Sequence, residues 1–199
     1  MRNSFLAILL VFFIVPTWAA MSPQELVVDT SQKTITRLKA EKETIKKDPG
    51  RLYDLVNDTV IPHFDFERAS RWVLGKYWRK ASAEQQKRFV EEFKNLLVRT
   101  YATSLADYAD QKLTYLPFRD KEDAEEVTVR SEVDQPGGFP IPINYRLHKK
   151  NGAWKVFDVV IDGISLVSNY RTSFAKEIRE ANIEALIKKL EARNKKAMQ

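Results

Sequence analysis

The chain has 199 residues, no cysteine, and 33 Lys and Arg against 27 Asp and Glu, a formal net charge of +6. The missing cysteine excludes disulfides, thiol catalysis and a lipid-modified N-terminal cysteine, so stability must come from a packed core. So modest a positive balance argues against a nucleic-acid-binding protein.

The first residues have the three parts of a secretory signal. Arg2 is the positive end, Phe5 to Val15 (FLAILLVFFIV) is an unbroken apolar run, and Thr17 and Ala19 are small residues ahead of a cut. The run suits the roughly 7–15 residues of a signal core and is shorter than the roughly 18 needed to span a bilayer. The expected signal is therefore 1–19, with Ala20 as the alternative end; an uncleaved anchor is the other reading. Residues 20–199 follow as one expected domain, exported and free of a membrane. Without Arg2 the balance is 32 basic to 27 acidic residues. From Arg171 to Gln199 there are eight basic and four acidic residues, so most of the excess sits on the last segment. Such an end suits anionic head groups, an acidic protein surface, or simply a solvated helix face.

Ser22-Pro23 is a helix start, with an N-cap and proline at the first helical position. Leu26, Val27, Thr34, Ile35 and Leu38 carry that helix towards Lys47, and Asp48-Pro49-Gly50 stops it. A second helix holds Leu52, Leu55, Val56 and Val60 and ends at Pro62. A short third one holds Trp72, Val73 and Leu74 and breaks at Gly75. Ser82 and Gln85 form a capping box, in which hydroxyl and amide each satisfy an orphaned backbone donor. Phe89, Phe93, Leu96, Leu97, Tyr101, Leu105 and Tyr108 then recur at helical steps as one broad apolar stripe.

From Lys112 the period changes to two. Leu113 and Tyr115 mark a first strand, and Val127, Val129 and Val133 alternate with Thr128, Arg130 and Glu132 in a second. Ile143, Tyr145 and Leu147 alternate with Asn144, Arg146 and His148 in a third. Asn151-Gly152 turns the chain into Trp154 to Ile161, apolar on both faces and so expected at the sheet's centre. After Asp162-Gly163, Ile164, Leu166, Val167, Tyr170, Phe174 and Ile178 read as one helical face, and Ile183, Leu186, Ile187 and Leu190 as a last helix. The order predicts an α+β fold: helices wrapped on a strongly twisted antiparallel sheet of about four strands, in a single domain.

Catalytic motifs are missing. There is no H-E-x-x-H, G-x-S-x-G or P-loop, and His63 and His148 have no partner at helical spacing. No metal or cofactor is expected. Asp158 and Asp162 bracket a buried strand; either caps the next helix or serves as an acid–base group, with capping favoured.

Three stretches resemble the MlaC or toluene-tolerance family of periplasmic phospholipid-binding proteins. One runs from Val73 to Ser82 (VLGKYWRKAS) with Gln86, Phe89, Phe93 and Leu97. The most specific is Trp154 to Val167 (WKVFDVVIDGISLV) with Tyr170, Arg171 and Phe174. The weakest is Asp48-Pro49 with Leu52, Tyr53, Leu55, Val56, Val60, Pro62 and Phe64-Asp65-Phe66. Asp162 stands where Glu is as common, which changes reach and not role.

The resemblance implies a soluble carrier of glycerophospholipid that maintains outer-membrane lipid asymmetry. Its partners would be an outer-membrane lipoprotein–porin complex and an inner-membrane ABC transporter with a hexameric MCE ring. It implies no catalysis and an internal apolar pocket for acyl chains. Two chains hold roughly 30 methylenes at about 0.8 kcal/mol each, so exposure in transit would cost on the order of 20 kcal/mol. The expected lining is Leu74, Tyr77, Phe93, Leu97, Tyr101, Val129, Ile143, Tyr145, Leu147, Val156, Val159, Ile161, Ile164, Val167, Tyr170 and Phe174. Ordinary core is the competing role of each. The rival function is a small isomerase or dehydratase using Asp158 beside Tyr101 or Tyr145. Lys188 and Lys189 on the basic end are the expected docking face for the ring.

Overall fold

The structure, a computed structural model, describes residues 21–121 and 123–196, so the expected signal segment 1–19 lies outside the described residues. Helix α1 (Pro23–Ala40) begins on a full capping box: the Ser22 backbone N–H donates to Glu25 Oε2 (2.8 Å), and Ser22 Oγ accepts from the Glu25 N–H. The expected continuation to Lys47 breaks at Glu41, and α2 (Lys42–Lys47) follows as a separate turn. Glu41 accepts from Arg37 (2.9 Å) and from Arg51 (3.1 Å), so the break ties α1 to the start of α3 (Gly50–Thr59). A 3-10 helix at Ile61–His63 leads to α4 (Phe66–Leu74), which Asp65 caps by accepting from the Arg68 N–H at 3.0 Å. Gly75 ends α4 at φ 52, in the left-handed region that glycine tolerates, and a second 3-10 helix runs to Lys80. Helix α5 (Ala83–Asp107) has the Ser82–Gln85 capping box as expected.

Strands β1 (Leu113–Tyr115), β2 (Glu126–Val133), β3 (Ile141–Lys150), β4 (Ala153–Ile161) and β5 (Ile164–Ser165) form one open antiparallel sheet in sequence order. The fold is thus the expected α+β class, with five strands. The extra strand is the pair assigned above to the helix start. Asp162 and Gly163 both take positive φ (49 and 77), the geometry of a two-residue hairpin, so Ile164 folds back on Ile161 before the helix begins. Ser165 then caps α6 (Leu166–Glu180), and α7 (Ile183–Lys196) closes the chain.

The centre of the sheet is β3, and β4 lies one place out. Its two apolar faces have another cause. Leu147 faces Val156 while Arg146 faces Asp158, so Phe157 is an extra residue at a bulge and turns to the outer face. There it meets Trp72 of α4 and the His148 ring.

Three apolar clusters follow from this arrangement. The first joins α4, the 3-10 helix after it, α5, α6 and α7. The second joins α1, α3 and the later part of α5. The third lies between α1 and the inner face of the sheet.

Candidate functional site

Strand register decides which expected residues meet. Across β2, β3 and β4, Val129 stands opposite Tyr145 and Tyr145 opposite Val159. Leu147 stands opposite Val127 and Val156, and Ile143 opposite Ser131 and Ile161. All these side chains therefore share the inner face, because pairing preserves the pleat.

Burial changes along that face. Leu147 and Val156 are sealed under Leu26 and Val27 of α1. Tyr145 and Val159, one row on, are half-buried, as are Ile143 and Ile161 beyond them. Ile164 ends the last row, opposite Ile161, and is 60% exposed. It belongs to the sheet's edge and not, as periodicity implied, to a buried helix face. Helix α1 covers only one end of these strands, so the inner face of β3, β4 and β5 runs from closed to open.

The helical candidates divide differently. Leu74, Phe93, Val167 and Phe174 are buried in the first cluster, where Phe93 makes edge contacts with Tyr170 and Phe174. Tyr77, Leu97 and Tyr170 are half-buried at its margin. Tyr101 of α5 and Tyr170 of α6 come together: burial, with the Tyr170 hydroxyl beside it, pushes the Tyr101 hydroxyl up to about 12. Burial likewise pushes the Tyr145 hydroxyl up to about 12, against the lowering effect of the nearby Ser131 and Ser31 hydroxyls. The Tyr115 hydroxyl, close to Tyr145, is buried without a hydrogen-bond partner among the described residues. Two hollows also open at the surface, neither on this face: one of about 190 Å³ between α5 and α7, at Leu96, Arg99 and Asn194, and one beside the start of α1.

The opposite face of the sheet is polar but covered. Asp158 is 3% exposed; its carboxylate accepts from the Val167 N–H (3.1 Å), the Ser165 hydroxyl (2.7 Å) and, more weakly, Arg146 (3.5 Å). It anchors the start of α6, as the capping alternative had it. The acid–base alternative fails for Tyr145, which lies on the other face, and three donors already engage the Asp158 carboxylate. Strand alternation puts His148 on a polar side with no partner at helical spacing. In the structure it is buried, and its Nε2 lies 3.0 Å from Asp65 Oδ2. Lys150 Nζ also reaches Asp65 at 3.0 Å. Burial raises the Asp65 carboxyl, but the Arg68 N–H, Lys150 and His148 outweigh it and hold the group below its ordinary value. No sequence spacing pointed to this pair, because 83 residues separate its members.

Among the described residues no helix is long and apolar enough to cross a membrane. Residues 28–192 match the family model described as MlaC protein. The chain is 34% identical over 171 residues to the toluene tolerance protein ttg2D of Pseudomonas putida, covering 85% of this chain and 79% of that one. It is 30% identical over 176 residues to the intermembrane phospholipid transport system binding protein MlaC of Haemophilus influenzae, covering 87% and 82%. A solved structure of the phospholipid-binding protein from Ralstonia solanacearum, in complex with a phospholipid, superimposes with a TM-score of 0.82 at 31% identity. That match covers 89% of this chain and 99% of the other.

Proposed function

This chain belongs to the MlaC family, and we propose that it binds phospholipid and carries it through the periplasm between outer- and inner-membrane complexes. In this reading residues 1–19 are removed on export and 20–199 form the carrier. The family match and the phospholipid-bound relative support the binding itself. The rest, including lipid asymmetry as the purpose, is our inference from the expected export signal and the form of the inner face.

One observation carries the choice of site. Tyr145 and Val159 are only half-buried although Leu147 and Val156, one row away on the same face, are sealed, so the apolar surface continues past the end of the packed core. Val159, Ile143 and Ile161 share that face, and Leu97, Tyr101 and Tyr170 supply the half-buried margin of the helices. These residues form an apolar lining with few polar groups, which suits acyl chains and selects weakly among head groups. We assign Leu74, Phe93, Leu147, Val156, Val167 and Phe174 to the wall behind it, where they hold its shape.

Purification without detergent, followed by solvent extraction and mass spectrometry, tests the reading. Diacyl phospholipid in about one-to-one ratio is the expected result, and a protein that is empty and binds none on mixing with vesicles overturns it. Docking on the inner-membrane ring is assigned to α7, where Lys188 is exposed and Lys189 pairs with Glu177 at 2.9 Å. Lys188→Glu with Lys189→Glu should weaken ring binding at least tenfold by surface plasmon resonance with folding intact. Unchanged binding would remove α7 from the interface.

A further inference from the structure

The last segment of the chain carries most of the excess positive charge, but the structure concentrates exposed cations in a second place. Between Arg68 and Ala83 there are five cations (68, 71, 76, 79 and 80) and no Asp or Glu. From Leu166 to Lys176 there is again no acid, and Arg171 lies in the middle. The fold puts these two acid-free stretches side by side, since α4 packs on α6 and the Arg171 guanidinium lies against Gly75. A Cβ at Gly75 would stand 3.3 Å from Arg171 Nη2.

Lys76, Arg79 and Lys80 sit on the 3-10 helix Gly75–Lys80. Three residues per turn bring Lys76 and Arg79 onto one ridge, with Lys80 beside it. All three are exposed, as is Arg171, and none of the four enters an ion pair among the described residues. The nearest acid before them, Glu67, is already held by Arg71 and Lys150. Aromatic rings alternate with the cations. Trp72 is 38% exposed, while Tyr77 and Trp78 are rooted in the helical cluster with Lys76 and Arg71 over their rings.

We infer that this face, Lys76, Arg79, Lys80 and Arg171 with Trp72 between sheet and helices, is a docking surface for anionic phospholipid membranes. Unpaired cations attract phosphate head groups, and amphipathic rings are favoured at the depth where head groups meet acyl chains. The two surface hollows lie elsewhere, and the exposed groups of this face are chiefly cations. Contact would be peripheral, reversible and sensitive to salt, as a molecule that must leave each membrane requires. The inference does not depend on what the inner face of the sheet holds.

Flotation with vesicles of equal phosphatidylglycerol and phosphatidylcholine tests it, using the full mature chain. At about 20 mM salt the wild type should float with these vesicles, stay behind with phosphatidylcholine alone, and release at about 0.5 M salt. Lys76→Gln, Arg79→Gln and Lys80→Gln together should weaken partition about a hundredfold, at about 1 kcal/mol for each cation. A control variant that removes the three exposed lysines of α2, Lys42→Gln with Lys46→Gln and Lys47→Gln, should stay within about threefold. Circular dichroism and bound-lipid content should be unchanged in both, which separates this test from that of the carried lipid. If wild type ignores anionic vesicles, the assignment to a membrane fails and an acidic protein surface takes its place. Equal losses in the two variants would reduce the effect to net charge and overturn the patch.

Discussion

Two regions of this molecule have the same apolar make-up and opposite packing. In the α4–α7 cluster, Phe89 stacks on Phe93, and Phe174 meets both edge-on at 5.9 and 6.1 Å, with no solvent reaching Phe89 or Phe93. On the inner face of β3 and β4, Tyr145, Val159, Ile143 and Ile161 are equally apolar but only half covered. The difference lies in what stands opposite. Four helices close on the aromatic rings, whereas over the sheet α1 seals the Leu147–Val156 end and brings Ser31 as far as Tyr145, leaving the rows beyond half covered. An apolar residue stabilises a fold by meeting a partner surface; without one it lines a space that a ligand can fill.

Phe93→Ala should break the closed region most. It deletes a fully buried ring with three aromatic neighbours, so unfolding in urea should show a loss of about 3–5 kcal/mol. A loss below about 1 kcal/mol would mean that the cluster is loosely packed.

The two regions are joined by buried carboxylates, and Asp158→Ala tests that joint. It leaves the Val167 N–H without its acceptor and Arg146 with only its longer contact to Glu126, at a cost of about 2–3 kcal/mol. Asp65→Asn should cost less, about 1–2 kcal/mol near neutral pH, and the loss should depend on pH. The Asp65 pKa is depressed in the folded state, so its stabilising effect is present above the unfolded value of about 3.9 and disappears as pH falls through the folded value. Urea titrations of the two proteins should therefore differ above about pH 4, begin to converge only below it, and coincide below the depressed folded value. Convergence at higher pH would assign the stability to another group.

The smallest stability effect is expected on the open face. Val159→Trp adds bulk where a packed core would resist it at about 1–3 kcal/mol. Here it should cost under about 0.5 kcal/mol while bound phospholipid falls severalfold. If stability drops and lipid loading stays, Val159 belongs to filled core and the lining is misassigned.

Much of the fold was legible in the sequence because its signals are local. Capping boxes at Ser22 and Ser82 act over three residues, and alternation in β2 and β3 reports a pleat directly. Where local signals conflicted, tertiary contacts prevailed. Glu41 interrupts a helix that periodicity would continue, since it is held by Arg37 and Arg51. Ile164 and Ser165, which fit a helical stripe, pair instead with β4 across the Asp162-Gly163 turn. The bulge at Phe157 also escaped prediction, because one extra residue in a wholly apolar strand leaves no trace in its pattern.

By itself the sequence determined the α+β class, the starts of α1 and α5, the order of strands β1 to β4, and the family motifs from Val73 to Ser82 and from Trp154 to Val167. Only the tertiary structure decided which apolar residues are sealed and which stay open. It also decided that Asp65 and His148 meet across 83 residues, and that Arg171 joins the cations after Gly75. The reason is physical: periodicity specifies which way a side chain points relative to its own element, while burial depends on the element that lies opposite. Leu147 and Ile143 point the same way from one strand, and only the reach of α1 separates them.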